Sequence, residues 1–128
     1  PEISLYASAV SAHPAVRAHL LEMQRKLARE NNVVMDGRDI GTVVLPDADV
    51  KVYLTASVET RAKRRFLELQ EKGESADLAK IAADIEDRDY RDMHRDISPL
   101  RQAEDATLVD SSDMTIDQVV ERILELCR

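Results

Sequence analysis

The sequence predicts an α/β domain built on a parallel sheet. Helical periodicities alternate with short apolar runs, and short polar turns separate them. With 128 residues, 44% of them apolar, the chain suits one modest core rather than two. Four helices and three strands are expected. Because a parallel sheet needs both faces covered and a neighbour beside each strand, we also expect at least one strand from outside this sequence.

The first half of the chain is predicted to form one helix and two strands. The helix begins at Pro14, a residue suited to a first helical position, and continues to about Asn31. Its apolar residues recur at helical spacing: Val16, Leu20, Met23 and Leu27. Residues 33–35 form a short apolar run that ends in polar residues, which is typical of a buried strand. Residues 50–54 are predicted to form the second strand.

Two more helices, joined by a short polar turn, are predicted to follow. Ser57 is a favourable N-cap for the first of them, and Gly73 suits its C-terminal end. The next helix begins at Leu78 with an apolar stripe and runs to about Arg95, and Pro99 bars its continuation.

The last predicted elements are a third strand at residues 108–110 and a terminal helix. Thr115 and Gln118 have the spacing of a capping box. The apolar residues behind this cap recur at helical spacing: Ile116, Val119, Val120, Ile123 and Leu124.

Composition excludes several classes of function. A net charge of −7 opposes binding to a nucleic-acid backbone, although a small anionic ligand is still compatible with it. No long uncharged apolar stretch or signal peptide is visible, so neither membrane insertion nor secretion is expected. The single cysteine, Cys127, favours a reducing compartment and therefore the cytoplasm. The three histidines lack metal-ligand spacing, so no metal-binding residues are predicted.

The first candidate site is the turn Asp36-Gly37-Arg38-Asp39, which follows a predicted strand. Open parallel sheets bind ligands beyond the carboxyl ends of their strands. Two carboxylates around an arginine can hold a metal-bound or hydrogen-bonding ligand. The alternative is a self-satisfied Asp-Gly turn with an internal Arg–Asp pair, and the spacing leaves both readings open.

The second candidate site is the set Arg88, Asp92 and Arg95, whose spacing places them on one helical face. That face continues the stripe of Ile81 and Ile85, so these charges are predicted to point inward or into a cleft. Two guanidiniums bridged by a carboxylate would keep donors for a phosphate. The alternative is an ion-pair ladder on an exposed helix.

A basic cluster lies on the helix that ends at Gly73. It comprises Arg61, Lys63, Arg64 and Arg65. Beside a mobile turn such a cluster can close over transferring phosphates, although most such runs are solvated. On spacing alone, Ser8 and Arg17 are a capping hydroxyl and a surface charge. No G-x-x-x-x-G-K-[ST] loop occurs in the sequence, so the chain is not expected to build its own cradle for nucleotide phosphates.

The sequence resembles bacterial cytidylate kinases over essentially all 128 residues, most clearly in VVMDGRDIGTVVLPDADVKVYLTAS, DIEDRDYRDMHRDISPLRQAEDA and LVDSSDMTIDQVV. The stretch YASAVSAHPAVRAHL is similar to that family's substrate-side segment. The resemblance implies a parallel-sheet P-loop nucleoside monophosphate kinase fold, incomplete because the first strand and phosphate loop would precede Pro1. It implies one domain over residues 1–128, with substrate-binding helices in 1–32 and a core in 33–128 whose lid lies near 61–77.

The resemblance also implies ATP-dependent phosphorylation of CMP and dCMP to CDP and dCDP, with Mg²⁺. This chain would carry the CMP site and be inactive without an N-terminal segment that completes it. The alternative is a non-catalytic nucleotide-binding module derived from a kinase.

By the same resemblance, residues from three segments bind CMP. They are Ser8, Arg17, Asp36, Arg38, Asp39, Arg88, Asp92 and Arg95. The first two would contact cytosine, Asp39 and Asp92 would face the sugar, and the arginines of the later helix would hold the substrate phosphate. Arg61 and Arg65 resemble lid arginines that reach the phosphates of ATP.

Overall fold

A computed structural model describes residues 2–11 and 13–128, apart from the side chains of residues 2–5 and 8. The elements are α1 (Glu2–Ser11), α2 (Pro14–Glu30), a π-helical turn (Ile40–Val44), β1 (Val52–Thr55), α3 (Val58–Glu71), α4 (Leu78–His94), β2 (Thr107–Asp110) and α5 (Ile116–Cys127). In the described residues, none of the helices has both the length and the apolar character needed to cross a membrane.

The sheet of the described residues consists of β1 and β2, which run parallel. Val52 lies opposite Thr107, and the register continues to Thr55 opposite Asp110. The α/β class and the parallel sheet are therefore confirmed, and both strands lie within one or two residues of their predicted bounds. This pairing brings the residues after Thr55 and after Asp110 to the same edge of the sheet.

The strand predicted at residues 33–35 is wrong. These residues have irregular backbone, and Val34 is fully exposed. A strand needs a neighbour for its backbone N–H and C=O groups. No strand in the described parts of the chain lies beside this segment, so its apolar character alone does not make it a strand.

The predicted helix ends are confirmed. The Ser57 hydroxyl accepts a hydrogen bond from the backbone N–H of Thr60 at 3.1 Å, as an N-cap should. Gly73 follows α3 with φ of +72°, the left-handed conformation that suits glycine behind a helix. Thr115 and Gln118 form both bonds of a capping box at the start of α5.

The spacing of apolar residues predicted neither α1 nor the π-helical turn, although the resemblance implied more than one helix in residues 1–32. In the turn, the N–H of Leu45 donates to the carbonyl of Ile40 at 2.7 Å. At the end of this turn, Arg25 of α2 donates from Nε to the Val44 carbonyl at 3.0 Å and from Nη2 to the Val43 carbonyl at 2.9 Å. The turn therefore depends on an arginine 18 or more residues away, which local periodicity does not reveal.

The core is thin. Among the described residues, its buried apolar residues are Val44, Ala56, Ala62 and Val109. Helix α3 packs on α4, α1 packs on α2, and α2 contacts the π-helical turn. On α5, by contrast, Ile116, Val120 and Leu124 are largely exposed. The predicted division into segments 1–32 and 33–128, with a lid near 61–77, stays a prediction.

Candidate functional site

Arg17 joins three parts of the chain. It lies on α2, and its Nη2 donates to the Asp39 carboxylate, in the loop before the π-helical turn. The same nitrogen donates to the Ser98 hydroxyl, in the loop after α4. The Arg17 side chain is 31% exposed and that of Asp39 only 14%. Arg17 is thus a half-buried link between segments far apart in sequence, and not the surface charge that its spacing alone indicated.

Asp92 of α4 makes the second link. Its carboxylate accepts a hydrogen bond from Nε of Arg38 at 2.6 Å. Nε of Arg88, one turn earlier on α4, lies 3.9 Å from the same oxygen. Asp92 is 17% exposed, whereas Arg88 is 66% exposed. The carboxylate therefore lies between two guanidiniums, with Arg88 on the outer rim.

This arrangement corrects the predicted grouping of Arg88, Asp92 and Arg95 on one helical face. Helix α4 ends at His94, and Arg95 has extended backbone with ψ of 146°. Its Nε donates to the Ser98 carbonyl at 2.6 Å instead of to Asp92. Arg38 takes the place predicted for Arg95 as the partner of Asp92, because the chain leaves the helix before the third residue of the set.

The 36–39 turn does not satisfy itself, so the alternative of an internal Arg–Asp pair is wrong. Arg38 bonds Asp92, and Asp39 bonds Arg17. Asp36 is exposed. A Cβ on Gly37 would lie 2.9 Å from Cγ1 of Ile40, which explains why this tight turn carries a glycine. Arg38 and Asp39 are therefore both directed to partners on helices, α4 and α2 respectively.

Among the described residues, the bonds that anchor these arginines leave most of their donors without a partner. Arg38 and Arg95 are held through Nε, and both bonds of Arg17 use the one nitrogen Nη2. A guanidinium has five N–H donors in a planar fork, which matches the oxygens of a phosphate or carboxylate. The site is therefore chemically suited to bind a small anion with hydrogen-bonding groups.

The predicted lid arginines lie on α3 and form other ion pairs. Arg61 donates to both oxygens of Asp89 on α4, at 2.9 and 2.6 Å, and to the Ala56 carbonyl at 3.0 Å. The hydrogen bond from Arg61 lowers the pKa of Asp89. Arg65 is exposed and pairs with Glu68 at 2.8 Å. Arg61 thus links α3 to α4. The lid role of Arg61 and Arg65 stays a prediction.

The remaining predictions concern Ser8 and metal binding. Ser8 lies on α1, but its side chain is outside the described residues. Within the described part of the chain, the His, Cys, Asp and Glu side chains form no group of three or more able to hold a metal ion.

Sequence reasoning missed Ser98, which contacts both Arg17 and Arg95. A signal was present: the Ser98-Pro99 dipeptide favours a turn after a helix. That signal predicts a turn but does not reveal which arginines the turn contacts.

The sequence of this chain is similar to those of known proteins from one family. The model of the cytidylate kinase family matches residues 1–128. The chain is 56% identical over 126 residues to the cytidylate kinases of Lactobacillus johnsonii and Lactobacillus gasseri, covering 98% of this chain and 55% of each relative. It is 52% identical over 126 residues to the cytidylate kinase of Caldicellulosiruptor saccharolyticus, covering 98% of this chain and 56% of the relative. The chain therefore spans about half the length of the curated relatives it matches.

Proposed function

Since this chain belongs to the cytidylate kinase family, we propose that it carries the monophosphate site of an enzyme that phosphorylates CMP and dCMP to CDP and dCDP with ATP. One observation carries the proposal. Arg17 and Arg95 share Ser98 as an acceptor, and Arg38 and Arg88 share Asp92. These contacts tie α2, the 36–39 turn and the end of α4 together. A cluster of anchored arginines with unused donors is what a doubly charged phosphate requires.

In this proposal the substrate phosphate binds Arg38, Arg88 and Arg95. Arg38 and Arg95 are held through Nε, so their terminal nitrogens are available for two phosphate oxygens each. Arg88 is mostly exposed and reaches the phosphate from the rim. Asp92 holds Arg38 and faces the sugar.

The nucleoside is proposed to lie toward α2. Cytosine offers acceptors on its pairing edge that unused donors of Arg17 can satisfy, with Ser8 as the second base contact. Asp39 fixes Arg17 and presents a carboxylate to the sugar hydroxyls, while Asp36 lines the opening of the site. The 2′-hydroxyl that distinguishes CMP from dCMP is one group that Asp39 and Asp92 would contact.

The reaction requires these residues to position the substrate phosphate and to neutralise its charge. A phosphate oxygen of CMP attacks the γ-phosphorus of ATP, the new P–O bond forms, the bond to the β–γ bridging oxygen breaks, and ADP leaves. Two anions must approach each other, and anchored guanidiniums offset their repulsion without reorganising. No side chain needs to act as a covalent nucleophile.

The donor site is proposed to include residues outside these 128, in a P-loop kinase fold of which β1 and β2 form part of the parallel sheet. The sequence holds no G-x-x-x-x-G-K-[ST] loop. Asp39 and Asp92 already pair with arginines, and the described residues hold no group of three or more potential metal ligands. Mg²⁺ is proposed to arrive with the phosphates of ATP, which is its usual mode of binding. The single cysteine supports a cytoplasmic location.

The test is phosphoryl transfer from ATP to CMP, followed by coupled ADP release. It compares the 128-residue chain, the full-length protein and the chain mixed with the remaining segment. We expect activity only when that segment is present, and Arg38→Met should lower kcat/KM by about 100-fold because it removes phosphate positioning. Arg91→Met, an exposed change on α4, is the matched control and should leave kcat/KM unchanged.

Two outcomes would contradict the proposal in different ways. If the full-length protein binds CMP but transfers no phosphate, the chain belongs to a nucleotide-binding module. If Arg38→Met and Arg91→Met behave alike, the arginine cluster is not the substrate site.

A further inference from the structure

Ser98 occupies an unusual position in the loop after α4. It is the one non-glycine residue with positive φ in the described chain, at +49°. Serine pays a steric cost there, and the following Pro99 also restricts its backbone. The loop is tied back to the helix by a hydrogen bond from the N–H of Leu100 to the Asp92 carbonyl at 2.7 Å. A costly conformation persists only where the surrounding contacts hold it.

Both oxygens of Ser98 contact arginines of the site. Its hydroxyl accepts from Nη2 of Arg17 on α2, and its carbonyl accepts from Nε of Arg95 at 2.6 Å. Arg17 also bonds Asp39. The loop conformation thus allows one residue to hold two guanidiniums, one from α2 and one from the segment that follows α4.

We propose that Ser98 is a positioning residue that sets Arg17 for the nucleoside and Arg95 for the phosphate of the same substrate. This inference rests on the proposed function. The left-handed backbone directs the carbonyl to Arg95, while the hydroxyl supplies the second acceptor that Arg17 needs besides Asp39. Ser98 touches no reacting atom and acts through the arginines that it holds.

The variant Ser98→Gly separates this role from a merely structural one. Glycine accepts positive φ without cost and keeps the carbonyl, so the loop and the Arg95 contact are retained or relaxed. It removes only the hydroxyl contact to Arg17. In the full-length protein we expect Ser98→Gly to raise the Kd for CMP by about 10-fold, the usual effect of losing a hydrogen bond to a charged group.

A double-mutant cycle with Arg17→Met provides the decisive comparison. Once Arg17 is methionine, Ser98→Gly should weaken CMP binding no further. Isothermal titration measures the four Kd values. Equal Kd values for wild type and Ser98→Gly would overturn the inference, as would an equal loss in both Arg17 backgrounds.

A ligand-free measurement distinguishes failure of this inference from failure of the proposed function. The ¹⁵N-resolved side-chain signals of Arg17 should shift or broaden in Ser98→Gly without any nucleotide. If wild type does not bind CMP, the proposed function fails, and a changed Arg17 signal still supports the positioning role. Unchanged Arg17 signals would overturn it whatever the affinity for CMP.

Discussion

The Asp92 carboxylate accepts a hydrogen bond from Nε of Arg38 at 2.6 Å, across 54 residues of sequence. Asp92 is 17% exposed, so the charge is largely removed from water and its partner matters more than that of a surface ion. The pair ties the 36–39 turn to α4. It also orients a guanidinium whose terminal nitrogens the bond does not use.

The first prediction is that Asp92→Asn weakens CMP binding more than it destabilises the fold. Asparagine keeps the shape but loses the charge that orients Arg38 and attracts Arg88. Because the amide oxygen of asparagine can still accept from Arg38, we expect the Kd for CMP to rise about 10-fold and the free energy of unfolding to fall by only about 1 kcal/mol, the usual contribution of an ordinary hydrogen bond. Calorimetric titration and urea denaturation measure the two quantities.

The control for Asp92 is Asp84→Asn, an exposed change on the same helix. It should alter neither quantity measurably, since surface substitutions are usually close to neutral. Equal effects of the two variants on CMP binding would show that Asp92 does not organise the site.

The second prediction concerns acid stability through Asp89. The bidentate bond from Arg61 holds the pKa of Asp89 below its ordinary 3.8. A carboxyl whose pKa is lowered in the folded state contributes stability above its unfolded pKa and loses it as pH falls through the folded pKa. Asp89→Asn should therefore lower the free energy of unfolding at pH 7, by about 1 kcal/mol because the pair is partly exposed.

The difference in unfolding free energy between wild type and Asp89→Asn should shrink toward zero as the pH falls below about 4, where the unfolded chain takes up the proton first. Urea denaturation at neutral and acid pH measures it. Glu86→Gln, exposed on α4, is the control and should follow the wild-type pH profile. A gap between wild type and Asp89→Asn that persists in acid would rule out this ion pair as its source.

Features determined by neighbouring residues were predictable from the sequence. The Ser57 cap, the Gly73 ending and the Thr115–Gln118 box each involve residues at most three positions apart, and all are present. Strands 50–54 and 108–110 were also predicted nearly correctly, since each is an apolar run bounded by polar turns.

Features determined by distant residues were not predictable in detail. Residues 33–35 have the composition of a strand, but no described strand pairs with them. Sequence spacing placed Arg95 beside Asp92, whereas the structure pairs Asp92 with Arg38 and Arg95 with Ser98. The residue types of the site were identified, but their pairing depends on how α2, α4 and two loops pack together.

The third prediction tests Gly73 behind α3. Its φ is +72°, and nothing lies within 4 Å of the position a Cβ would take. Replacement by alanine therefore meets no clash and costs only backbone energy, about 1 kcal/mol of unfolding free energy. Gly73→Asn should cost less, because asparagine adopts the left-handed conformation more readily. Urea denaturation of both variants measures the difference, and an alanine variant as stable as wild type would show that the backbone at Gly73 is not held there.

The fourth prediction tests whether Arg65 reaches ATP. Glu68 accepts hydrogen bonds from Lys72 at 2.6 Å and Arg65 at 2.8 Å, which together lower its pKa to about 2. The favourable effect of this depressed pKa is complete above the ordinary 4.5 and is lost as pH falls toward 2. If Arg65 moves to the ATP phosphates, Glu68 loses one of its two partners.

ATP should therefore raise the pKa of Glu68, because only Lys72 then remains beside it. The ¹³C shift of the Glu68 carboxyl, followed from about pH 5 downward with and without ATP in the full-length protein, measures this change. Arg65→Met should raise the pKa without ATP and abolish any further rise when ATP is added. Gln70→Met, exposed on the same helix and outside the basic cluster, should leave the ATP effect intact. A Glu68 pKa that saturating ATP does not change would mean that Arg65 stays on α3, and the lid role predicted for it would be wrong.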